Sequence, residues 1–298
     1  MDEKMEFNDD IIDKIKQKPW LFFILTYAWT WSFWIPLILF GQNVFLFPYF
    51  LLLGLGGLGP PISAIFLTYF KEDREIWHDY WKRIIDFKRI GVIWLAVALL
   101  LPAVRSGLAM ATGILINGIF PSFDTAIEFL SDPRGLGFYL IFTLIYGPLP
   151  EEISWRGYAL DRLQKRWNAT YSSIILGIFW GLWHWPMFLM VGTYQSGELT
   201  IGSIRFWLNF VFGIIAVSIV MTWIYNNTNR STLSAILSHF MMNFTGEFLN
   251  LMDILEYYKG IWTIIIAVLV VIIYGPKKLV RKSKDERVNH EKVENFPK

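Results

Sequence analysis

The sequence predicts an all-α polytopic membrane protein: a bundle of about eight transmembrane helices plus one amphipathic helix lying in the interface. Three observations carry that expectation. Over half of the 298 residues are apolar and only 17% are charged, which is too little polar surface for one soluble core of this size. Apolar runs of about twenty residues, the length that crosses a hydrocarbon core, recur near 20–41, 44–70, 92–118, 136–160, 170–191, 205–226, 231–250 and 260–276. The connections between these runs alternate in basic content. An open strand would leave backbone groups unpaired in lipid, so all regular structure is expected to be helical.

Residues 1–19 form a segment of mixed charge, and the run after it is too long for a signal-peptide core, so it reads as a retained first span. One side of the bundle holds Lys4, Lys14, Lys16 and Lys18, then Lys71, Arg74, Lys82, Arg83, Lys88 and Arg89. The same side holds Arg162, Lys165, Arg166 and Arg230, and finally a basic tail over 277–298. The other side has Arg134, Arg205 and Lys259. The positive-inside bias therefore puts both termini in the cytoplasm, on a multi-pass protein of the cell membrane. Residues 72–90 place Ile76, Trp77, Tyr80, Trp81, Ile84 and Phe87 on one helical face, the pattern of a helix lying in the interface. His78 reads there as a solvated histidine, and His290 lacks the second histidine of a zincin motif. With no cysteine, disulfide and thiolate chemistry are excluded. The lipid bilayer is the expected partner, and no nucleic acid is.

Polar residues at membrane depth mark cavities and function, because each charge at the centre of a span costs roughly 2.5–3.5 kcal/mol to insert. They are Arg105 in the third run, Glu151, Glu152 and Arg156 in the fourth, His184 in the fifth, and His239 with Asn243 in the seventh. Glu152 and Arg156 are four apart with the acid first, the favourable order for a helical pair. Glu151 points about 100° away and has no local counter-ion. Two carboxylates and one guanidinium leave one negative charge for a proton or a cation to neutralise. Pro148 and Pro150 interrupt the helix just before.

Trp180 and His184 share a helical face, so the indole can wall and orient the imidazole, and Pro186 loosens the helix beyond. Gly177 and Gly181 read as close packing between two helices. His239 and Asn243 offer an imidazole and an amide on one stripe, suited to metal ligation, oxyanion stabilisation or interhelical bonding. Counting ~1.5 Å per residue from the cytoplasmic ends, Glu151 lies roughly 15 Å in, His239 roughly 12 Å and His184 roughly 20 Å. One shared site near mid-membrane is allowed. Arg105 fits no such site and reads as structural, paired with an acid in the bundle or lying nearer the outer interface.

The ordered set EExxxR, an aromatic four residues before histidine, and HxxxN on successive hydrophobic segments resembles the CPBP or Abi family of type II CAAX prenyl endopeptidases and bacteriocin-processing enzymes. The resemblance spans roughly Gly135 to Asn250, making 135–250 the catalytic core of a transmembrane domain over 20–276. It implies an intramembrane endopeptidase acting on a peptide or membrane-protein substrate. It also implies that Glu151 is the water-activating or metal-binding carboxylate, with Glu152 and Arg156 as its supporting pair. His184 would act with Glu151, while His239 and Asn243 hold a metal or steady the oxyanion. A divalent metal, Zn²⁺ in the family's metalloprotease reading, would take Glu151, His184 and His239 as ligands; a metal-free mechanism uses the same residues. Trp180 departs from the family pattern, which has Phe there, and the larger ring is expected to narrow the cavity.

Two other classes remain open on the residues alone. A transporter or proton relay also buries Glu and His, but it predicts repeat symmetry that is not visible. A noncatalytic bacteriocin-immunity or scaffold protein of the same fold has no need of a complete motif set.

Overall fold

The structure, a computed structural model, describes residues 14–15, 18–201 and 210–280, and among them regular structure is entirely helical. The expectations for residues 1–13, Arg205, the start of the sixth run, His290 and the tail beyond 280 lie outside the described residues. Five helical segments are long and apolar enough to cross a membrane. They are α1 (Trp20–Phe40), the pair α2 (Tyr49–Gly57) and α3 (Gly59–Lys71), then α5 (Val92–Asn117), α10 (Ala169–Trp183) with its short extension to Leu189, and α14 (Asp253–Tyr274). Leucine and isoleucine side chains project outward from these helices, Leu39 at 80% and Leu115 at 84% exposure. In water that pattern would drive aggregation, whereas in a bilayer it is the lipid-facing surface.

The remaining apolar runs depart from plain spans. The sixth becomes α12 (Gly213–Asn226) and the seventh α13 (Thr232–Leu249). The fourth is broken in two at Gly147, with α7 (Pro133–Tyr146) before and α8 (Pro148–Ser154) after. Pro148 opens α8 at a position where the missing N–H would have been unpaired anyway. From Ser154 the chain passes into a wider π turn, Trp155–Leu160, and then α9 (Asp161–Gln164). Three further helices complete the set: α4 (Arg74–Ile85), α6 (Asp124–Ser131) and α11 (Tyr194–Ile201).

In the packing, α8 sits between α3 and α13, α10 lies against α12, and α5 packs on both α13 and α14. Gly177 makes the α10–α12 contact possible, since a β-carbon there would lie 2.8 Å from the Ile215 Cα. The close-packing reading of that glycine therefore holds.

The amphipathic helix forms, but its buried face is rotated from the expected one. Ile76, Asp79, Tyr80, Arg83 and Ile84 point inward, while Trp81 and Phe87 are exposed. The reason is that Asp79 and Arg83 join a buried ion cluster rather than facing water. Arg83 contacts Asp79 at 2.9 Å and Asp161 at 3.0 Å, bonds the Tyr225 hydroxyl, and donates to the Gly157 carbonyl at 2.9 Å. Arg230 pairs with Asp161 from the α12–α13 turn, and the Tyr225 hydroxyl donates to Asp161 at 2.9 Å. Arg162 donates to the Tyr158 carbonyl at 2.8 Å and to Glu72 at 2.7 Å. Carbonyls inside the π turn are thus taken by guanidinium groups, which fixes this wide turn in place.

Burial alone would resist ionisation of Asp161, but Arg230 and Arg83 outweigh it and hold the carboxyl below its ordinary range. A depressed value means the stabilisation is present above the unfolded-state pKa of about 3.9 and is lost as pH falls through the folded one. Thermal stability in detergent should therefore drop in acid below about pH 4, and Asp161→Asn should flatten that slope. At neutral pH the same substitution should cost about 3–5 kcal/mol, because it leaves two buried guanidiniums to share the single carboxylate of Asp79. Gly177→Ala should lower the melting temperature by forcing α10 and α12 apart, a cost of about 1–3 kcal/mol. Gly107→Ala, with nothing within 4 Å of the new carbon, should leave the melting temperature unchanged or raise it.

Candidate functional site

The helices that carry the sequence-predicted residues converge on one side chain, Trp180. Its indole Nε1 donates to Glu151 Oε2 at 2.6 Å. Its backbone carbonyl accepts from His184 Nδ1 at 2.8 Å. The His239 ring meets the indole edge-on at 5.4 Å between centroids, and the His184 ring lies tilted at 6.0 Å. The Arg156 guanidinium sits 4.6 Å over the indole face. Sequence reasoning gave Trp180 the tasks of walling and orienting one imidazole and narrowing the cavity, whereas the structure makes it the common neighbour of all three clusters.

Glu151 and Glu152, adjacent in sequence, face different partners, as their 100° separation requires. Glu152 is fully buried and receives Arg156 Nη1 on both oxygens, at 2.9 and 3.0 Å, and His239 Nδ1 at 2.8 Å. Among the described residues Nε and Nη2 of Arg156 meet no hydrogen-bond partner, and the π face of Trp180 lies where an acceptor is missing. Glu151 has no cation; the N–H of Trp180 takes that place on one oxygen. The other oxygen, Oε1, meets no hydrogen-bond partner among the described residues.

Asn243 is half-buried on α13, one turn beyond His239. It comes near Glu151 at Gly147, a residue the sequence did not single out. A β-carbon on Gly147 would stand 3.4 Å from Asn243 Nδ2 and 3.8 Å from Glu151 Oε1. The glycine at the break between α7 and α8 therefore keeps open the space that these two polar atoms border. Its place immediately before Pro148 was the available signal.

His184 lies just past the end of α10 rather than within it. The helix stops at Trp183, and a tight 3₁₀ turn follows over Trp185–Leu189, with Pro186 in its first turn. A carbonyl can only accept, so Nδ1 of His184 carries a hydrogen and the neutral ring has its lone pair on Nε2. The Nδ1 of His239 is likewise committed, to Glu152. Both imidazoles thus keep Nε2 for other work.

The donor types suit a divalent cation, and a histidine backed by a carboxylate is a common arrangement around zinc. Their placement does not gather them. Among the described residues no three His, Asp or Glu side chains are grouped so as to hold a metal ion, and one oxygen of Glu151 is engaged by the indole.

Arg105 stands apart from the site on α5, with Thr263 Oγ1 at 3.4 Å as its contact. His78 is exposed and stacked beside Trp77, as expected of a solvated residue.

Fold and site together define a multi-pass helical membrane protein with carboxylate and imidazole side chains set around Trp180 and an amide beside Gly147. A family model described as type II CAAX prenyl endopeptidase Rce1-like matches residues 133–245, the stretch that supplies all of these residues. CAAX prenyl protease 2 of Methanococcus maripaludis is 31% identical over 241 residues, covering 80% of this chain and 88% of that protein. The chain belongs to the type II CAAX prenyl endopeptidase family, and so to a class of membrane endopeptidases.

Arg156→Met should destabilise the protein by about 3–5 kcal/mol, because Glu152 is left as a buried charge shared only with His239. Adding Glu152→Gln should restore part of the lost melting temperature. Equal melting temperatures for the single and double variants would show that the pair is not coupled.

Proposed function

We propose that the protein hydrolyses a peptide bond with a water activated by Glu151 and His184, inside the helical bundle. The observation that carries this reading is the state of Glu151: one oxygen is fixed by the Trp180 indole, and the other meets no hydrogen-bond partner among the described residues and borders, with Asn243 Nδ2, the open space at Gly147. A carboxylate held in that way is oriented without being neutralised, as a general base requires.

In the proposed reaction Glu151 Oε1 removes a proton from water while Nε2 of His184 accepts the water's second hydrogen bond. The hydroxide oxygen bonds to the scissile carbonyl carbon, giving a tetrahedral intermediate. Asn243 Nδ2 donates to the new oxyanion, and His239 donates through Nε2 when that nitrogen carries a hydrogen. The C–N bond then breaks as Glu151 returns its proton to the leaving amine. Glu152 and Arg156 act by holding His239 and the face of Trp180, and touch no reacting atom.

The zinc version assigns Glu151, His184 and His239 as ligands and needs His239 neutral, with its Nε2 lone pair free. The two versions thus differ in one proton and in metal content. The family-model match over residues 133–245 supports the placement of the catalytic core within 135–250. The substrate is proposed to be a peptide segment of a membrane-associated protein, of the CAAX prenyl class that the relative's name carries. Both termini are proposed to be cytoplasmic, on the basic side of the bundle.

Purified parent protein, Glu151→Gln and His184→Ala should be assayed on peptides alongside metal analysis. The parent should cleave, and each variant should lose at least about a hundredfold in kcat, as removal of a general base does. Cleavage by both variants at the parent rate would overturn the proposal. Active parent protein without metal would remove the zinc version alone.

A further inference from the structure

Arg105 is a guanidinium at membrane depth that no acid among the described residues contacts, Glu256 acting on it only across a distance. It has no ion pair among the described residues, its Nε is buried without a hydrogen-bond partner, and its one hydrogen bond, to Thr263 Oγ1, is long at 3.4 Å. The acid on the facing helix, Glu256, is engaged by Lys259 at 2.5 Å. The acid that the sequence led us to expect near Arg105 is thus present as Glu256, but it lies beyond contact distance. A guanidinium in a bundle whose N–H groups lack good acceptors is costly enough that a further partner is implied.

Arg105 lines a cavity of about 30 Å³ between α5, α12, α13 and α14. Pro102, Met221 and Met242 supply its apolar walls, and Ser238 and Thr263 its hydroxyls. The Ser238 hydroxyl has no side-chain partner among the described residues. The space matches about two water-sized oxygens. A carboxylate presents two such oxygens in one plane, the geometry that a guanidinium fork receives. We infer that this cavity is a binding site for the carboxylate end of an apolar ligand, held by Arg105 with Ser238 as a second donor.

The cavity adjoins the proposed catalytic site across one helix. Ser238 and Met242 border the cavity, while His239 and Asn243, each the next residue along α13, face the site. Hydrolysis of a peptide bond creates one carboxylate and leaves another at the end of the second fragment. A peptide product is one source of the ligand, and that assignment rests on the proposed hydrolysis; a fatty acid from the bilayer is the other. The carboxylate chemistry itself depends on neither.

The test is binding, read by calorimetry on full-length protein in a nonionic detergent, so it needs no turnover. The probes are the tripeptide Leu-Leu-Phe and oleate, each as the acid and as its amide. In the parent at least one acid should bind about tenfold or more tightly than its amide, the effect of a charge-assisted pair. Arg105→Gln should abolish that preference and Arg105→Lys should keep only part of it. If Arg105→Gln does not fold, Ser238→Ala carries the test and should reduce the preference severalfold. A preference confined to the tripeptide assigns the site to peptide ends, and one confined to oleate assigns it to lipid. Equal binding of acids and amides by the parent, or an undiminished preference in folded Arg105→Gln and Ser238→Ala, overturns the inference. Loss of cleavage in Glu151→Gln without loss of the acid preference would separate this site from the catalytic reading.

Discussion

The hydrogen bond from the Trp180 indole to Glu151 is the constraint from which the organisation of the site follows. A carboxylate in a bundle interior must be protonated, paired with a cation or hydrogen-bonded. This chain uses the third course for Glu151, with one oxygen fixed by the indole and the other without a hydrogen-bond partner among the described residues. The same residue holds His184 through its carbonyl, meets His239 at its edge and supports Arg156 on its face. One residue on α10 thus brings into register groups from α8, the π turn, α13 and the turn after α10. Phenylalanine at this position would keep the rings in contact and lose the bond to the carboxylate.

Register also depends on what happens ten residues further along, where Asp161 joins the buried cluster formed with Arg83, Arg230 and Tyr225. The π turn between Arg156 and Asp161 is a wide turn whose carbonyls are held by Arg83 and Arg162. Those guanidiniums come from α4 and α9, so the amphipathic helix is bolted to the helix that presents Glu151 and Glu152. An interfacial helix and a buried site are in this way one mechanical unit. The arrangement concentrates ionic groups at one end of the bundle, where burying them costs less than at mid-membrane.

Much of the fold was legible because a bilayer leaves the backbone few options. Apolar runs of span length had to be helices, and the helices lie where the runs are. Spacing alone revealed the Glu152–Arg156 pair and the placement of His239 beside Asn243, since four residues bring side chains onto one helical face. Contacts between helices were hidden for the opposite reason: nothing in a single chain tells which face of α10 meets α8, so the bond from Trp180 to Glu151 could not be read. The rotated face of α4 was missed because Asp79 and Arg83 were counted as water-facing charges. Their spacing of four, the same as that of Glu152 and Arg156, was the overlooked sign that they pair. His184 was assigned to a helix that ends one residue earlier, although Pro186 marked the end nearby.

The convergence of these groups on one indole can be read directly by NMR of protein labelled with ¹⁵N-tryptophan in detergent, the Trp180 side-chain signal being assigned by its loss in Trp180→Phe. The indole N–H of Trp180 should resonate downfield, as a short bond to a carboxylate requires, and should move upfield in Glu151→Gln with little change in the other indole signals. A Trp180 signal at the position of a free indole, indifferent to Glu151→Gln, would contradict the account.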